Sequence, residues 1–339
     1  MHGINAIKSL TQNQRKVSKA KKRTVKFAGG FLKAIFLTGF CFVILYPIFT
    51  MISKAFMGRM DIFDNTVILI PKNITLQNFE IAIMLTDFWN ALRNTVALSL
   101  LTMILQTASS LLVAYGLARF QFKLRGVFMA LVVFTIIVPP QLILTPMYIQ
   151  FRQFNPLGLM SLIYGGSLNL IDTFTPFTLL SMTAMGAKNG LFILIFYQFF
   201  KNMPKEFEEA AFMDGAGSVR TFLMIMLPNA RTAIVTVMLF AFLWQYNDMN
   251  YTTAFLQNVP VFSNVYYNLE RFTLAVYEML GTSQYDITMT MYVPLVKSAG
   301  VLMMLAPLII MFLFCQKFFV ESIEPVSYTH LRAHETPEH

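Results

Sequence analysis

Apolar runs of near-membrane length dominate this chain, and short polar stretches separate them. Crossing about 30 Å of hydrocarbon takes roughly 20 residues of helix, with every backbone polar group bonded inside the segment. Residues 34–52, "AIFLTGFCFVILYPIFTMI", give the first predicted span. A polar, mixed segment follows, and residues 95–117 give the second span. A third covers 126–148 and contains Pro139 and Pro140, which remove backbone donors and predict a kink. Residues 149–200 are too long for one crossing and too interrupted for two. The pattern there predicts one crossing at 179–200, preceded by an outer or re-entrant segment. Lys188 then falls inside that crossing and has to sit near the rim or face protein or water. Gly186 and Gly190 form a G-x-x-x-G helix-packing pattern. Residues 230–245 and 295–314 complete the set, with a Tyr- and Asn-rich outer loop between them. The expected fold class is all-α: a polytopic helical membrane protein of about six transmembrane helices.

Composition agrees with that pattern. Of 339 residues, 56% are hydrophobic and 13% charged, with a mean hydropathy of +0.59. A soluble domain carries about twice that share of charge. The net charge of +9 sits at one end. Nine of the 26 basic residues (Lys8, Arg15, Lys16, Lys19, Lys21, Lys22, Arg23, Lys26 and Lys33) precede Ala34 with no acidic residue among them, so the remainder balances 17 against 17. A basic arm of this kind suits nucleic acid. Placed directly before a span, it reads as a cytoplasmic juxtamembrane segment touching anionic lipid, with no nucleic acid as partner. The basic region is too long, and the apolar run too extended, for a cleaved signal peptide, and no A-x-A-like site follows.

The side-chain inventory removes most enzyme classes. Cys41 and Cys315 both lie in apolar runs, and His330, His334 and His339 crowd the last ten residues. No histidine, cysteine or carboxylate cluster is offered within the spans, so no catalytic residue, metal or cofactor is expected. With six spans, Arg119, Lys123, Arg125, Lys201, Lys205, Arg220 and Arg231 share one face with the basic arm, which makes that face and both termini cytoplasmic. The last residues, "VSYTHLRAHETPEH", break composition and look like a foreign appendage, expected to be disordered. The expected organisation is a basic arm at 1–33, a transmembrane domain at 34–323 and a tail at 324–339.

One polar stretch interrupts the second half: "EFEEAAFMDGAGSVRTFLMIMLP", residues 206–228. Pro204 suits the first position of a helix, and Glu206, Glu208 and Glu209 suit its early turns. Gly215 can take positive φ and end that helix, Ser218 can cap a second one, and Pro228 closes it. The product is two short helices meeting at a glycine hinge along the membrane face. Local physics leaves two uses open, an amphipathic connector lying on lipid headgroups or an element that docks a partner.

The spacing within this stretch is specific. Glu209-Ala210-Ala211, three residues, Gly215, nine residues, Ile225, one residue and Leu227-Pro228 match the signature of ABC importer permease subunits. The flanks "FYQFFKNMPKEFEEAAFMDGAG" and "LPNARTAIVTVMLFAFLWQYND" resemble the carbohydrate-uptake branch, the maltose-transporter-like second permease. So do "NFEIA", "RNT" and "QKFFVE", and the likeness covers roughly residues 30–323. The resemblance implies a coupling helix in a cytoplasmic loop between spans four and five, docked on an ABC ATPase dimer. Glu209 would pair with a cation of the ATPase, Ala210 and Ala211 would allow close packing, Gly215 would make the bend, and Asp214 belongs to the same coupling loop. It also implies a second permease subunit as heterodimer partner and an extracytoplasmic solute-binding protein. The family's glycine-rich ending after the last span is replaced by the odd tail, so a C-terminal contact with the ATPase is not carried over. The chain has no G-x-x-x-x-G-K-[ST] to cradle ATP phosphates, so hydrolysis has to come from a partner.

Trp244, Gln245, Tyr246, Asn247 and Asp248 mix an aromatic face with hydrogen-bonding groups and are candidates for a solute path. An interfacial aromatic belt is the competing reading of the same residues. The function expected from the whole is a permease subunit of an ATP-driven carbohydrate importer in the plasma membrane. The alternatives are an ABC permease for an amino acid, peptide or phosphate, and a membrane-embedded enzyme.

Overall fold

The computed structural model describes residues 2–263, 278–279, 281 and 287–323. The expectation for 324–339 lies outside the described residues. Helix α1 (His2–Phe56) contains the basic arm and the first span in one unbroken element. Its apolar part, Gly29–Phe56, is long enough to cross a membrane, and none of its most apolar window is buried within this chain. The following helix α2 (Gln77–Thr86) anchors the end of α1. Asn78, in the "NFEIA" stretch, is fully buried and donates its side-chain amide to the carbonyls of Ala55 and Met57 at 2.9 Å each. Those carbonyls have no partner inside the helix, so a buried amide there closes its end.

Helix α3 (Phe88–Arg119) contains the second span and forms the centre of the molecule. It packs against α8 (Asn189–Asn202), α12 (Arg231–Tyr246) and α7 (Thr175–Met182). A strip of its buried residues is polar: Thr95, Ser99, Thr102, Gln106, Ser109 and Ser110. Away from water each such group needs a partner. Ser99 and Thr102 return their hydroxyls to the preceding turn at Thr95 and Leu98, while Ser109 donates to Ser181 O at 2.6 Å. Asn189 reaches across from α8 to donate to Ser110 Oγ at 2.7 Å.

The third predicted span is kinked where its two prolines fall, and more sharply than a bent helix. It is two helices, α4 (Arg125–Ile137) and α5 (Pro140–Arg152), meeting at 100°. A residue before proline is disfavoured in the helical region. Two consecutive prolines therefore extend two consecutive residues, Val138 at ψ 121 and Pro139 at ψ 132, and the helix cannot continue.

The fourth predicted span is also broken. After α6 (Leu159–Tyr164), α7 ends at Met182, and Ala184 and Lys188 adopt positive φ, 58° and 66°, before α8 begins. Lys188 precedes the first residue of α8 instead of lying within a crossing. Gly186 is consequently not helical, yet both glycines of the predicted packing pattern mark close approaches. A Cβ at Gly186 would fall 2.6 Å from Gln106 Nε2, and one at Gly190 would fall 2.3 Å from Thr135 Oγ1 on α4.

The remaining helices are α9 (Glu206–Met213), α10 (Ser218–Thr221), α11 (Leu227–Asn229), α12, α13 (Asn250–Phe255) and α14 (Ile287–Ile323). Among the described residues three helices are long and apolar enough to cross a membrane, or up to five if each bent pair is one span. At 14 residues, α8 is outside that set.

Candidate functional site

The polar stretch folds as a hinged pair of helices at one end of the bundle. Lys205 caps α9, so Pro204 lies just before the cap and not at the first helical position as expected. Glu206, Glu208 and Glu209 occupy the first turn, where the helix dipole favours anions. Gly215 ends the helix at φ +79. Its N–H bonds Phe212 O at 3.0 Å, and the N–H of Ala216 bonds Ala211 O at 2.9 Å, the pair of bonds that defines a Schellman end. No atom lies within 4 Å of the missing Cβ, so glycine is required here by conformation and not by space.

The second helix differs from expectation. Gly217, not Ser218, occupies the cap position, with no side-chain cap bond. Nor does Pro228 close this helix. The chain runs from α10 through a π turn at Phe222–Met226 into α11, which includes Pro228, and breaks by 76° before Arg231. Proline removes one backbone bond and crowds the carbonyl four residues earlier. A locally widened π turn accommodates both effects. Ile225 and Leu227-Pro228 thus mark where the hinged segment turns into α12.

The two faces of α9 have different environments. Ala211 and Glu208 are buried, while Phe207, Glu209, Ala210, Phe212, Met213 and Asp214 are exposed. Glu208 Oε1 accepts a hydrogen bond from Tyr115 Oη at 3.0 Å, and Glu208 Oε2 lies 3.4 Å from Arg119 Nε. Arg119 also donates to Met203 O at 2.9 Å, so the last turn of α3 holds both α9 and the chain leading into it. The Tyr115 ring packs against Phe120, Phe200 and Phe222 with centroids 5.7, 5.4 and 4.7 Å away, joining α3, α8 and the π turn. The sequence reading missed Tyr115, Arg119 and the distinct role of Glu208. Spacing four apart does put Tyr115 and Arg119 on one face of α3, but it does not disclose a partner 93 positions away.

The solute-path candidates separate around the end of α12. Trp244 stacks between Phe192 and Phe240 at 5.5 and 5.6 Å, and the Lys188 ammonium stands 5.9 Å from its centroid. Gln245 is buried on the row of Ala233, Val237 and Ala241, and its Nε2 has no partner among the described residues. Tyr246 donates its hydroxyl to Met304 O at 2.9 Å on α14. Tyr246 and Asn247 line a cavity of about 230 Å³ with Phe262, Ser263 and Met304. Asp248 accepts bonds from Thr252 N and Oγ1 at 2.7 and 2.8 Å, and burial pushes its carboxyl above the ordinary value against that lowering influence. Among the described residues no group of three metal-ligating side chains occurs.

A helical membrane body with an exposed hinge at one end is a membrane component built to work within a larger assembly. Residues 109–324, more than half of the chain, match the family described as "Binding-protein-dependent transport system inner membrane component", and the chain belongs to that family. It is therefore a transport component and not an enzyme, and as an ABC permease it works with an ATPase and a solute-binding protein. Over 310 residues it is 28% identical to the probable ABC transporter permease protein YurM of Bacillus subtilis (strain 168), covering 90% of each chain. It is 25% identical over 287 residues to the arabinooligosaccharides transport system permease protein AraQ of Halalkalibacterium halodurans, covering 83% of this chain and 90% of that one. It is 27% identical over 212 residues to the sn-glycerol-3-phosphate transport system permease protein UgpE of Yersinia pestis, covering 61% and 69%. The fold is shared with a chain in the crystal structure of a bacterial ABC transporter involved in the import of the acidic polysaccharide alginate, with a TM-score of 0.68, 22% identity and coverage of 86% and 96%.

Proposed function

We propose that this chain is the permease subunit of an ATP-driven importer of oligosaccharides, paired with a second permease and oriented with both termini and the α9–α11 hinge in the cytoplasm. The exposed face of α9 docks on the ATPase. Glu209 meets a cation there, and Ala210 keeps the approach close. Glu208 holds the opposite face of α9 to Tyr115 and Arg119, so movement of the docked helix is transmitted to α3. Closure of the ATPase dimer then tilts the helices around the solute path, a rigid-body route to alternating access. The observation that carries this reading is the division of adjacent carboxylates on a hinged helix, Glu208 facing inward and Glu209 facing outward.

The carbohydrate assignment draws on relatives named for arabinooligosaccharides and on the alginate importer that shares the fold. Relatives named for sn-glycerol-3-phosphate favour a phosphorylated polyol as a second reading. Uptake of labelled arabinooligosaccharide by the reconstituted complex, with glycerol 3-phosphate as competitor, decides between them. In the same assay Glu209→Lys should insert normally and keep its stability within about 0.5 kcal/mol, because the site is exposed. It should lose the co-purifying ATPase, and uptake should fall by at least about tenfold, the loss of about 1.4 kcal/mol at the docking contact. Gly215→Ala should weaken both, since positive φ costs a residue with a Cβ about 1–2 kcal/mol. Full uptake and ATPase retention by both variants would overturn the docking role.

A further inference from the structure

A second site lies beside the hinge. The ends of α3 and α8, the start of α4 and the first turn of α9 enclose a depression of about 440 Å³, lined by Arg119, Arg125, Lys201, Lys205, Glu208 and Glu209 among others. Arg119 is engaged by Glu208. Among the described residues Arg125, Lys201 and Lys205 enter no ion pair, leaving three cations around the single carboxylate of Glu209.

Two of those cations are held in place. Arg125 donates to Tyr197 Oη at 3.3 Å and to Ala118 O at 3.4 Å, and its guanidinium carbon lies 6.0 Å from the Tyr197 centroid. Lys201 Nζ lies 5.8 Å from the centroid of the same ring. A tyrosine ring attracts a cation without neutralising it, so both keep their positive charge on the wall of the depression, where an anion would be favoured. Beside Arg125 the chain exposes Phe122, Leu124 and Phe128 at 43, 59 and 50%. Apolar side chains at that level suit acyl chains running away from a bound headgroup.

We propose that this depression is a binding site for a phosphate-bearing anion, supplied by the headgroup of an anionic phospholipid in the cytoplasmic leaflet or by free phosphate. The cations and the neighbouring apolar residues fit the lipid, and basic pockets between membrane helices on the cytoplasmic side are known to take such headgroups. Because Arg119 and Glu208 line the site and also join α3 to α9, its occupant touches the joint through which the docked helix acts on the membrane core. The inference rests on the orientation proposed above.

The test uses the complete transporter complex, purified in detergent and titrated with spin-labelled phosphatidylglycerol or, separately, with inorganic phosphate. Arg125→Gln/Lys201→Gln removes two cations that lie outside the docking helix. Lys201→Gln alone, at an exposed lysine, keeps the measurement readable where the double variant fails to fold. Phosphatidylglycerol affinity should fall roughly fivefold for each cation removed, the worth of one basic residue near an anionic surface. Saturable binding of inorganic phosphate alone, equally weakened by the variants, also supports the site and identifies a soluble ligand. Absence of both bindings, or equal binding by wild type and variants, overturns it. ATPase co-purification is read in the same samples: a wild-type complex that retains the ATPase yet binds neither probe condemns the site alone, whereas a wild-type chain that fails to retain the ATPase condemns the docking role.

Discussion

Glu208 is buried against two partners on α3, while Glu209, the next residue, is exposed and enters no ion pair among the described residues. Removing the Glu208 carboxylate leaves the Arg119 guanidinium, whose side chain is 6% exposed, without its counter-charge. Breaking a buried pair from one side costs on the order of 3 kcal/mol. Tyr115→Phe deletes one hydrogen bond and leaves the ion pair, a loss of about 1 kcal/mol. Denaturation in mixed micelles should therefore rank Glu208→Ala as more damaging than Glu208→Gln, and Glu208→Gln as more damaging than Tyr115→Phe. The ATP hydrolysed per solute carried should rise in the same order as the joint between α9 and α3 loosens. Equal effects from Tyr115→Phe and Glu208→Ala would show that the charge is not what holds the joint.

At the scale of elements, apolar length was a sound guide wherever a span is one helix: the predicted 34–52, 95–117, 230–245 and 295–314 all fall in or along α1, α3, α12 and α14. At the third span the kink expected from Pro139 and Pro140 is present as a 100° break, and at the fourth the continuous helix expected over 179–200 is interrupted, because hydropathy does not register which φ and ψ a residue can reach. In the fourth, the left-handed residues are Ala184 and Lys188, not the glycines between and beyond them. Gly186 and Gly190 are committed to close approaches against Gln106 and Thr135 instead. The hinge was legible because its signature is local, whereas its anchor on α3 depends on a contact distant in sequence. The double proline offers a direct check. With labels at positions 128 and 149, two legs of about 15 Å bent by 100° place the ends about 20 Å apart, and a straight helix places them about 30 Å apart. Spin-label distances should lengthen toward the second value in Pro139→Ala/Pro140→Ala. An unchanged distance would mean that the surrounding helices, not the prolines, impose the bend.

For the whole molecule, contacts between chain ends decide whether the two broken elements traverse it. Arg125, at the start of α4, bonds Ala118 O and Tyr197 Oη at the hinge end. Phe151, near the end of α5, packs on Phe255 of α13 at 5.4 Å, beyond the other end of α12. The α4–α5 pair therefore passes from one end to the other and does not double back. The α7–α8 pair makes the reverse passage: Phe177 lies 5.7 Å from Phe255, and Phe200 lies at the Tyr115 ring beside the hinge. Asp172 fixes the far end by accepting bonds from Asn258 N and Nδ2 at 2.8 and 2.7 Å. Taken with α1, α3, α12 and α14, these two passages are what the six-span orientation proposed above requires. Met213 and Leu157 are 88 and 97% exposed at opposite ends, which makes them suitable probes. In sealed vesicles a membrane-impermeant thiol reagent should reach Leu157→Cys from the outer side only and Met213→Cys from the cytoplasmic side only. Added ATPase should protect the second and not the first. Labelling of both from the same side would make α4–α5 re-entrant and remove the orientation on which docking depends.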